Sequence, residues 1–113
     1  MNFLLSLFRK IRRYINGLGG PIRIVRIKGD AFPARLARKI LVELDDDGPY
    51  AIALQCPCGC KETIEMMVMD GVRPRWDLKV DANGLPTLHP SVWRQSGCRS
   101  HFWLRNGRVV WCE

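Results

Sequence analysis

Residues 39–60 read Lys-Ile-Leu-Val-Glu-Leu-Asp-Asp-Asp-Gly-Pro-Tyr-Ala-Ile-Ala-Leu-Gln-Cys-Pro-Cys-Gly-Cys, and they contain the features that decide the fold. Two apolar runs, 39–44 and 50–55, flank an Asp-Asp-Asp-Gly-Pro turn, which predicts a β-hairpin. The second run leads directly into residues 56–60, here called the cysteine knuckle, with three thiols in five residues. The stretch therefore predicts a small β domain organised around a metal.

The rest of the chain after residue 21 also has the short, roughly alternating pattern of strands. We predict strands over 22–28, 63–69, 75–80, 101–104 and 108–111, with Asn-Gly turns at 83–84 and 106–107. Residues 29–39 are expected to be a loop that could lead into a short helix. Because no βαβ spacing is present, six or seven strands should form an antiparallel sheet or sandwich. The predicted class is mainly β (α+β), a small antiparallel zinc-containing domain with one N-terminal amphipathic helix.

Length and composition limit the possibilities. A chain of 113 residues with 47% hydrophobic residues can bury one core but not two ordinary ones. No apolar run approaches the roughly 18–20 residues that a membrane-spanning helix needs. We therefore expect a single β domain over 21–113, preceded by the helix within 1–20.

The predicted helix has apolar residues at 3, 4, 7, 8, 11 and 15, the spacing of one helical face. Gly17 and Gly19 are expected to end it. Three interpretations of that face stay open: it packs on the chain's own sheet, it docks on another protein, or it lies on a membrane surface or nucleic acid. The segment lacks the charge order and cleavage site of a signal peptide, so the reducing cytoplasm is the expected compartment.

Charge is distributed unevenly along the chain. Residues 1–39 hold ten Lys/Arg and one Asp, whereas the remaining residues hold eight Lys/Arg and ten Asp/Glu. This asymmetry indicates an acidic partner for the first third. The basic residues are not interleaved with an aromatic stacking platform, which argues against nucleic acid as that partner.

The knuckle can supply three thiolates to a tetrahedral Zn²⁺, and a distant residue must complete the site. We predict Cys56, Cys58, Cys60 and Cys98 as the ligands. The main variant omits one knuckle cysteine and uses His101, and Cys112 is a further candidate ligand. A Cys98–Cys112 disulfide is the alternative without metal.

Acid–base chemistry is assigned to His101, one of two histidines in the chain, which follows Cys98 closely. Ser91 and Ser100 are the candidate nucleophiles, and a knuckle thiol that binds no metal is another. Spacing alone places neither serine beside the histidine.

Four segments, in this order, resemble a family of small bacterial proteins encoded beside ubiquitin-like proteins and their E1- and E2-like enzymes. The segments are Cys-Pro-Cys-Gly-Cys (56–60), Pro-Arg-Trp (74–76), Pro-Thr-Leu-His-Pro-Ser-Val-Trp (86–93) and Gly-Cys-Arg-Ser-His-Phe-Trp-Leu-Arg-Asn-Gly (97–107). The resemblance covers about residues 50–112. It implies a zinc-binding β domain that acts as a peptidase on the ubiquitin-like protein, with that protein and its E1/E2-like enzymes as partners.

Two functions are therefore weighed. The first is a peptidase that processes or removes the ubiquitin-like protein, with His101 and Ser91 in the catalytic role. The second is a non-catalytic, zinc-stabilised adaptor whose basic first third docks a protein or nucleic acid.

Overall fold

The computed structural model describes residues 2–112 and confirms the predicted fold class, a mainly β chain with one helix. The described residues form helix α1 and nine strands, more than the six or seven expected. Their bounds are α1 (Asn2–Gly17), β1 (Arg23–Lys28), β2 (Ile40–Asp45), β3 (Pro49–Gln55), β4 (Thr63–Met67), β5 (Asp77–Val80), β6 (Pro86–His89), β7 (Val92–Trp93), β8 (His101–Arg105) and β9 (Arg108–Trp111).

The largest sheet has the order β1-β2-β3-β4. The predicted hairpin forms its centre, where Leu41 pairs with Leu54 and Glu43 with Ile52 in an antiparallel register. Both faces of these two strands are buried because apolar residues occupy nearly every position. The buried Glu43 is compensated by an ion pair at 2.7 Å with Arg26 on the neighbouring strand.

One strand pairing differs from the antiparallel expectation. Strand β1 runs parallel to β2, with Arg23 opposite Ile40 and Lys28 opposite Asp45. A parallel pair needs a crossover connection, usually a helix. Here residues 29–39 cross without one, and Leu36 packs on Val42 and Ala53 where a helix would otherwise lie. The short helix considered for this segment is therefore absent from it.

Two smaller antiparallel sheets, β5-β6 and β7-β8-β9, complete the domain. Leu88, Phe102 and Leu104 project from them into the same core as Leu41 and Leu54 of the large sheet. The buried knuckle cysteines Cys56 and Cys58 belong to this core as well. The cysteine knuckle is therefore part of the packed interior, at the point where β3 ends.

Helix α1 turns its apolar face away from the sheet, whereas the first of the three interpretations had that face packing on the sheet. Its apolar side chains are exposed, with 76% of Phe3, 71% of Phe8 and 72% of Tyr14 accessible. The expectation that the apolar face packs on the sheet is wrong, because the polar face contacts the domain instead. No helix within residues 2–112 has the length and apolar character needed to cross a bilayer.

Candidate functional site

The cysteine knuckle is a tight turn closed by backbone hydrogen bonds. The amide of Gly59 donates to the carbonyl of Cys56 at 3.3 Å, and the amide of Cys56 donates to the carbonyl of Glu62 at 2.7 Å. Gly59 has φ +94°, and a Cβ there would lie 2.8 Å from Cγ of Arg12. Glycine is therefore required both for the turn and for the close approach of α1.

Four cysteines bring their sulfurs together. The Sγ atoms of Cys56, Cys58, Cys60 and Cys98 all lie within 4.8 Å of one another. The Cys56 sulfur is 3.5 Å from that of Cys58 and 3.6 Å from that of Cys98. Two thiolates bound about 2.3 Å from a tetrahedral zinc are roughly 3.8 Å apart. The four sulfurs could therefore hold a metal ion of this kind.

Two guanidinium groups approach the sulfurs from outside. Nη1 of Arg94 lies 3.3 Å from the sulfur of Cys98 and 3.7 Å from that of Cys60. Nη2 of Arg12 lies 3.6 Å from the sulfur of Cys58. A divalent ion with four thiolates carries a formal charge of −2, so the two arginines offset it.

The thiols differ in their readiness to ionise. Burial raises the pKa of the Cys56 and Cys60 thiols. Burial also acts to raise the pKa of Cys98, but hydrogen bonds with Ser100, Cys56 and Cys58 together outweigh it and lower that pKa to about 6. A cation at the centre of the cluster would offset the cost of burying the Cys56 and Cys60 thiolates.

The other candidate ligands lie outside this sulfur cluster. Among residues 2–112, the group within metal-binding reach contains neither His101 nor Cys112. All five cysteines are free thiols, so no Cys98–Cys112 disulfide is present. Ser100, considered as a nucleophile, is buried with its Oγ 3.2 Å from the Cys98 sulfur. Its hydroxyl therefore contacts the cysteine sulfurs and not His101.

Ser91 and His101 lie next to each other. Ser91 Oγ is 2.9 Å from Nε2 of His101, within hydrogen-bonding distance. Strand β7 follows Ser91 directly and pairs with β8, so that Trp93 stands opposite His101. Both the serine and the histidine are half-buried, which leaves them accessible to a substrate. A serine bonded to Nε2 of a histidine is an arrangement that supports nucleophilic catalysis.

Two tryptophans hold this serine–histidine pair in place. The ring of Trp93 stacks on His101 with centroids 4.9 Å apart and an interplanar angle of 12°. The indole N–H of Trp76 donates to the carbonyl of Ser91 at 3.2 Å. Within residues 2–112, no carboxylate bonds to the His101 ring. In a catalytic triad, an acidic residue orients the histidine ring. Here, stacking on Trp93 restrains the His101 ring.

The sulfur cluster and the serine–histidine pair share one loop. Residues 94–100 connect β7 to β8 and carry Cys98, while the amide of Arg94 donates to the carbonyl of Ser100 at 2.8 Å. The ladder between β7 and β8 has only two residue pairs. Because so short a ladder contributes few hydrogen bonds, a metal bound at Cys98 would stabilise this hairpin.

A partly exposed strip extends from His101 along the outer face of β8. Side chains alternate along this strand, so Phe102 and Leu104 are buried whereas Trp103 and Arg105 face outward with His101. The guanidinium of Arg105 lies 4.8 Å from the centre of the Trp103 ring, and Val110 pairs with Trp103 from β9. An extended peptide could lie on this strip.

Three residues at the site were not identified from the sequence. Trp93 on β7 is 59% exposed and stacks on His101. The spacing of Arg94 before Cys98 offers a weak signal at best. Arg12 offers no signal, because it is 46 residues from Cys58 in sequence and reaches the knuckle only through the docking of α1.

Comparison with known protein families finds a match over most of the chain. The family model described as bacterial ubiquitination-like system serine protease (BubE) matches residues 28–112. No curated protein and no solved structure matches the chain. The matched range includes the four clustered cysteines, Ser91 and His101, and confirms the family resemblance drawn from the sequence. The chain therefore belongs to the BubE family of serine proteases from bacterial ubiquitination-like systems.

Proposed function

We propose that this protein is a serine peptidase that cleaves the ubiquitin-like protein of its pathway, either from a precursor or from a conjugate. Ser91 is the nucleophile and His101 the general base. The observation that carries this proposal is the 2.9 Å contact between Ser91 Oγ and His101 Nε2. Membership of the serine protease family supports it independently.

In the first half of the reaction, Ser91 Oγ attacks the scissile carbonyl carbon and transfers its proton to Nε2 of His101. This requires a neutral imidazole with its own proton on Nδ1. The protonated His101 then gives the proton to the leaving amine, so the C–N bond breaks and an acyl ester remains on Ser91. In the second half, water attacks the ester, with His101 again accepting and returning the proton.

The sulfur cluster has a structural role in this proposal. Zn²⁺ fits four thiolates, and four protein ligands leave no open position for substrate or water. The ion would hold Cys98 and hence the loop between β7 and β8. Ser91 and His101 flank that loop, so a metal bound there would position the pair without taking part in the chemistry.

The partly exposed strip along β8 is the proposed binding surface for the tail of the ubiquitin-like protein. Trp103 offers an aromatic surface, and Arg105 offers a cation for a carboxylate or a backbone carbonyl of that tail. A tail lying there in extended form would pass directly over His101. The E1- and E2-like enzymes would then be partners only through the shared protein.

The test uses purified protein of known zinc content and the ubiquitin-like protein carrying a C-terminal extension. We expect cleavage at one bond, and Ser91→Ala should reduce kcat by about 10⁴-fold or more. Ser96→Ala is the matched control, because Ser96 is exposed in the same segment of chain. A fluorophosphonate probe should label the wild type at Ser91, which tests the nucleophile even if the chosen substrate is wrong.

Full cleavage by the Ser91→Ala protein would overturn the assignment of the nucleophile. A folded, zinc-loaded protein that neither cleaves nor reacts with the probe would favour the adaptor function. His101→Gln separates the two roles considered for that residue, since we expect it to abolish cleavage and to leave the zinc content unchanged.

A further inference from the structure

We propose that helix α1 binds the surface of an anionic lipid bilayer through its exposed apolar face. The proposal does not rest on the peptidase function. It concerns a helix outside the range matched by the BubE family model, and an apolar surface that the domain leaves uncovered.

The orientation of the helix is fixed by its polar face. Nε of Arg12 donates to the carbonyl of Cys58 at 2.9 Å, and the amide of Asn16 donates to the carbonyl of Pro57 at 2.8 Å. The guanidinium of Arg13 lies 3.8 Å from the centre of the Trp111 ring. These three residues share one side of the helix, so the opposite side points away from the domain.

The end of the helix is also tied down. Arg38 donates to the carbonyls of Asn16 and Leu18, and Nζ of Lys39 donates to the carbonyl of Gly17 at 2.9 Å. Cations at the carbonyl end of a helix satisfy its unpaired acceptors and its dipole. The last turn is therefore held to the domain, while every described side chain from residue 3 to residue 11 is exposed.

The outward side forms a continuous apolar face. With about 100° between successive residues, the apolar side chains cover an arc of roughly 140° that contains no charged residue. Lys10 and Arg12 lie just beyond its two edges. The face combines aromatic and aliphatic side chains, namely Phe3, Leu4, Leu7, Phe8, Ile11, Tyr14 and Ile15. This composition suits insertion at the boundary between lipid head groups and acyl chains.

Charge selects the kind of surface. The helix carries four cations and no acid, and residues 1–39 together hold ten Lys/Arg and one Asp. Lys10, at one edge of the apolar face, is exposed on the part of the helix that extends from the domain. Cations close to an apolar helical face attract the negative head groups of an anionic membrane.

A wide face bordered by charges of one sign favours a bilayer over a protein groove. Grooves that bind amphipathic helices recognise a few anchoring side chains at positions i, i+3, i+4 and i+7. Here nearly the whole apolar half of the helix is exposed, including three aromatic rings. The helix is too short and too polar to span a bilayer, so it would lie in the plane of the interface.

The experiment is co-sedimentation of the full chain with vesicles of phosphatidylcholine alone or mixed with phosphatidylglycerol. We expect binding to the mixed vesicles and much weaker binding to the neutral ones. Leu7→Glu should lower the affinity by about tenfold or more, because it places a charge within the inserted face. Lys10→Gln should lower it by about fivefold. Met69→Glu, which changes an exposed apolar residue far along the chain, is the matched control and should bind like wild type.

Because Leu7 is exposed, its replacement should leave zinc content and thermal unfolding unchanged, which separates loss of binding from loss of fold. Protein that stays in the supernatant with both vesicles would overturn the proposal. Equal binding to both vesicles would overturn its anionic part. A dimer that dissociates in the Leu7→Glu variant, without vesicle binding, would replace the bilayer by a second copy of the chain. Capture of an E1- or E2-like enzyme lost in the same variant, again without vesicle binding, would replace it by a protein.

Discussion

Helix α1 and strand β8 are both amphipathic, yet they present opposite sides to the domain. In β8 the apolar residues Phe102 and Leu104 are fully buried, and the outward face carries His101. In α1 the apolar face is exposed, and the polar residues Arg12 and Asn16 contact the cysteine knuckle. An amphipathic pattern therefore predicts that two sides meet different surroundings, but not which side meets the chain's own core.

The difference follows from what each element finds next to it. Strand β8 packs in the core formed with the large sheet, where only apolar side chains are compatible. Helix α1 meets a turn whose carbonyls and sulfurs accept hydrogen bonds, so arginine and asparagine are the matching side chains. The loop between β7 and β8 should depend on Cys98 for its integrity, whereas α1 should be dispensable for that loop.

The largest effect is expected from removing a ligand of the sulfur cluster. Cys98→Ala should abolish stoichiometric zinc binding and lower the unfolding free energy by about 3 kcal/mol or more, or the unfolding temperature by over about 10 °C. Cleavage should be lost with it, because the loop between β7 and β8 is released. Metal analysis and thermal unfolding measure both effects.

Cys112→Ser provides the control for that prediction. Cys112 lies outside the cluster, so zinc content should equal that of the wild type. Loss of zinc from the Cys112→Ser protein, or its retention by Cys98→Ala, would contradict the assigned ligand set.

A smaller, purely kinetic effect is expected at Trp93. Trp93→Ala removes the ring that stacks on His101 and should lower kcat on the order of tenfold to a hundredfold through misorientation of the base. Zinc content and the unfolding temperature should change little, since the side chain is exposed. Trp93→Phe should restore most of the rate. A rise in KM with kcat unchanged would instead assign Trp93 to substrate binding.

The smallest effect is expected where α1 meets the knuckle. Arg12→Met removes the hydrogen bonds to Cys58 and should cost about 1 kcal/mol of stability, with zinc retained. Amide exchange in residues 12–17 should become faster. Arg9→Met, at an exposed position earlier in the same helix, should leave both measurements unchanged. Equal exchange in the two variants would show that Arg12 does not hold the helix.

Local chemistry in the sequence was enough for several features. The central hairpin, the Asn-Gly turns, the helix and the knuckle each follow from neighbouring residues, because turn geometry and side-chain period are local properties. Thiolate chemistry made Cys98 and Cys112 candidates for the distant partner of the knuckle, and the fold brings Cys98 to it. The family resemblance likewise rested on short motifs in a fixed order.

Tertiary structure alone decided how these pieces meet. The parallel pairing of β1 with β2 depends on a crossover that has no helix, and no local pattern specifies that path. The contact of Ser91 with His101 depends on the pairing of β7 with β8 across the loop that carries Cys98. The outward apolar face of α1 depends on acceptors in a turn more than 40 residues away. Sequence determines which side chains are available, whereas long-range packing determines which of them become neighbours.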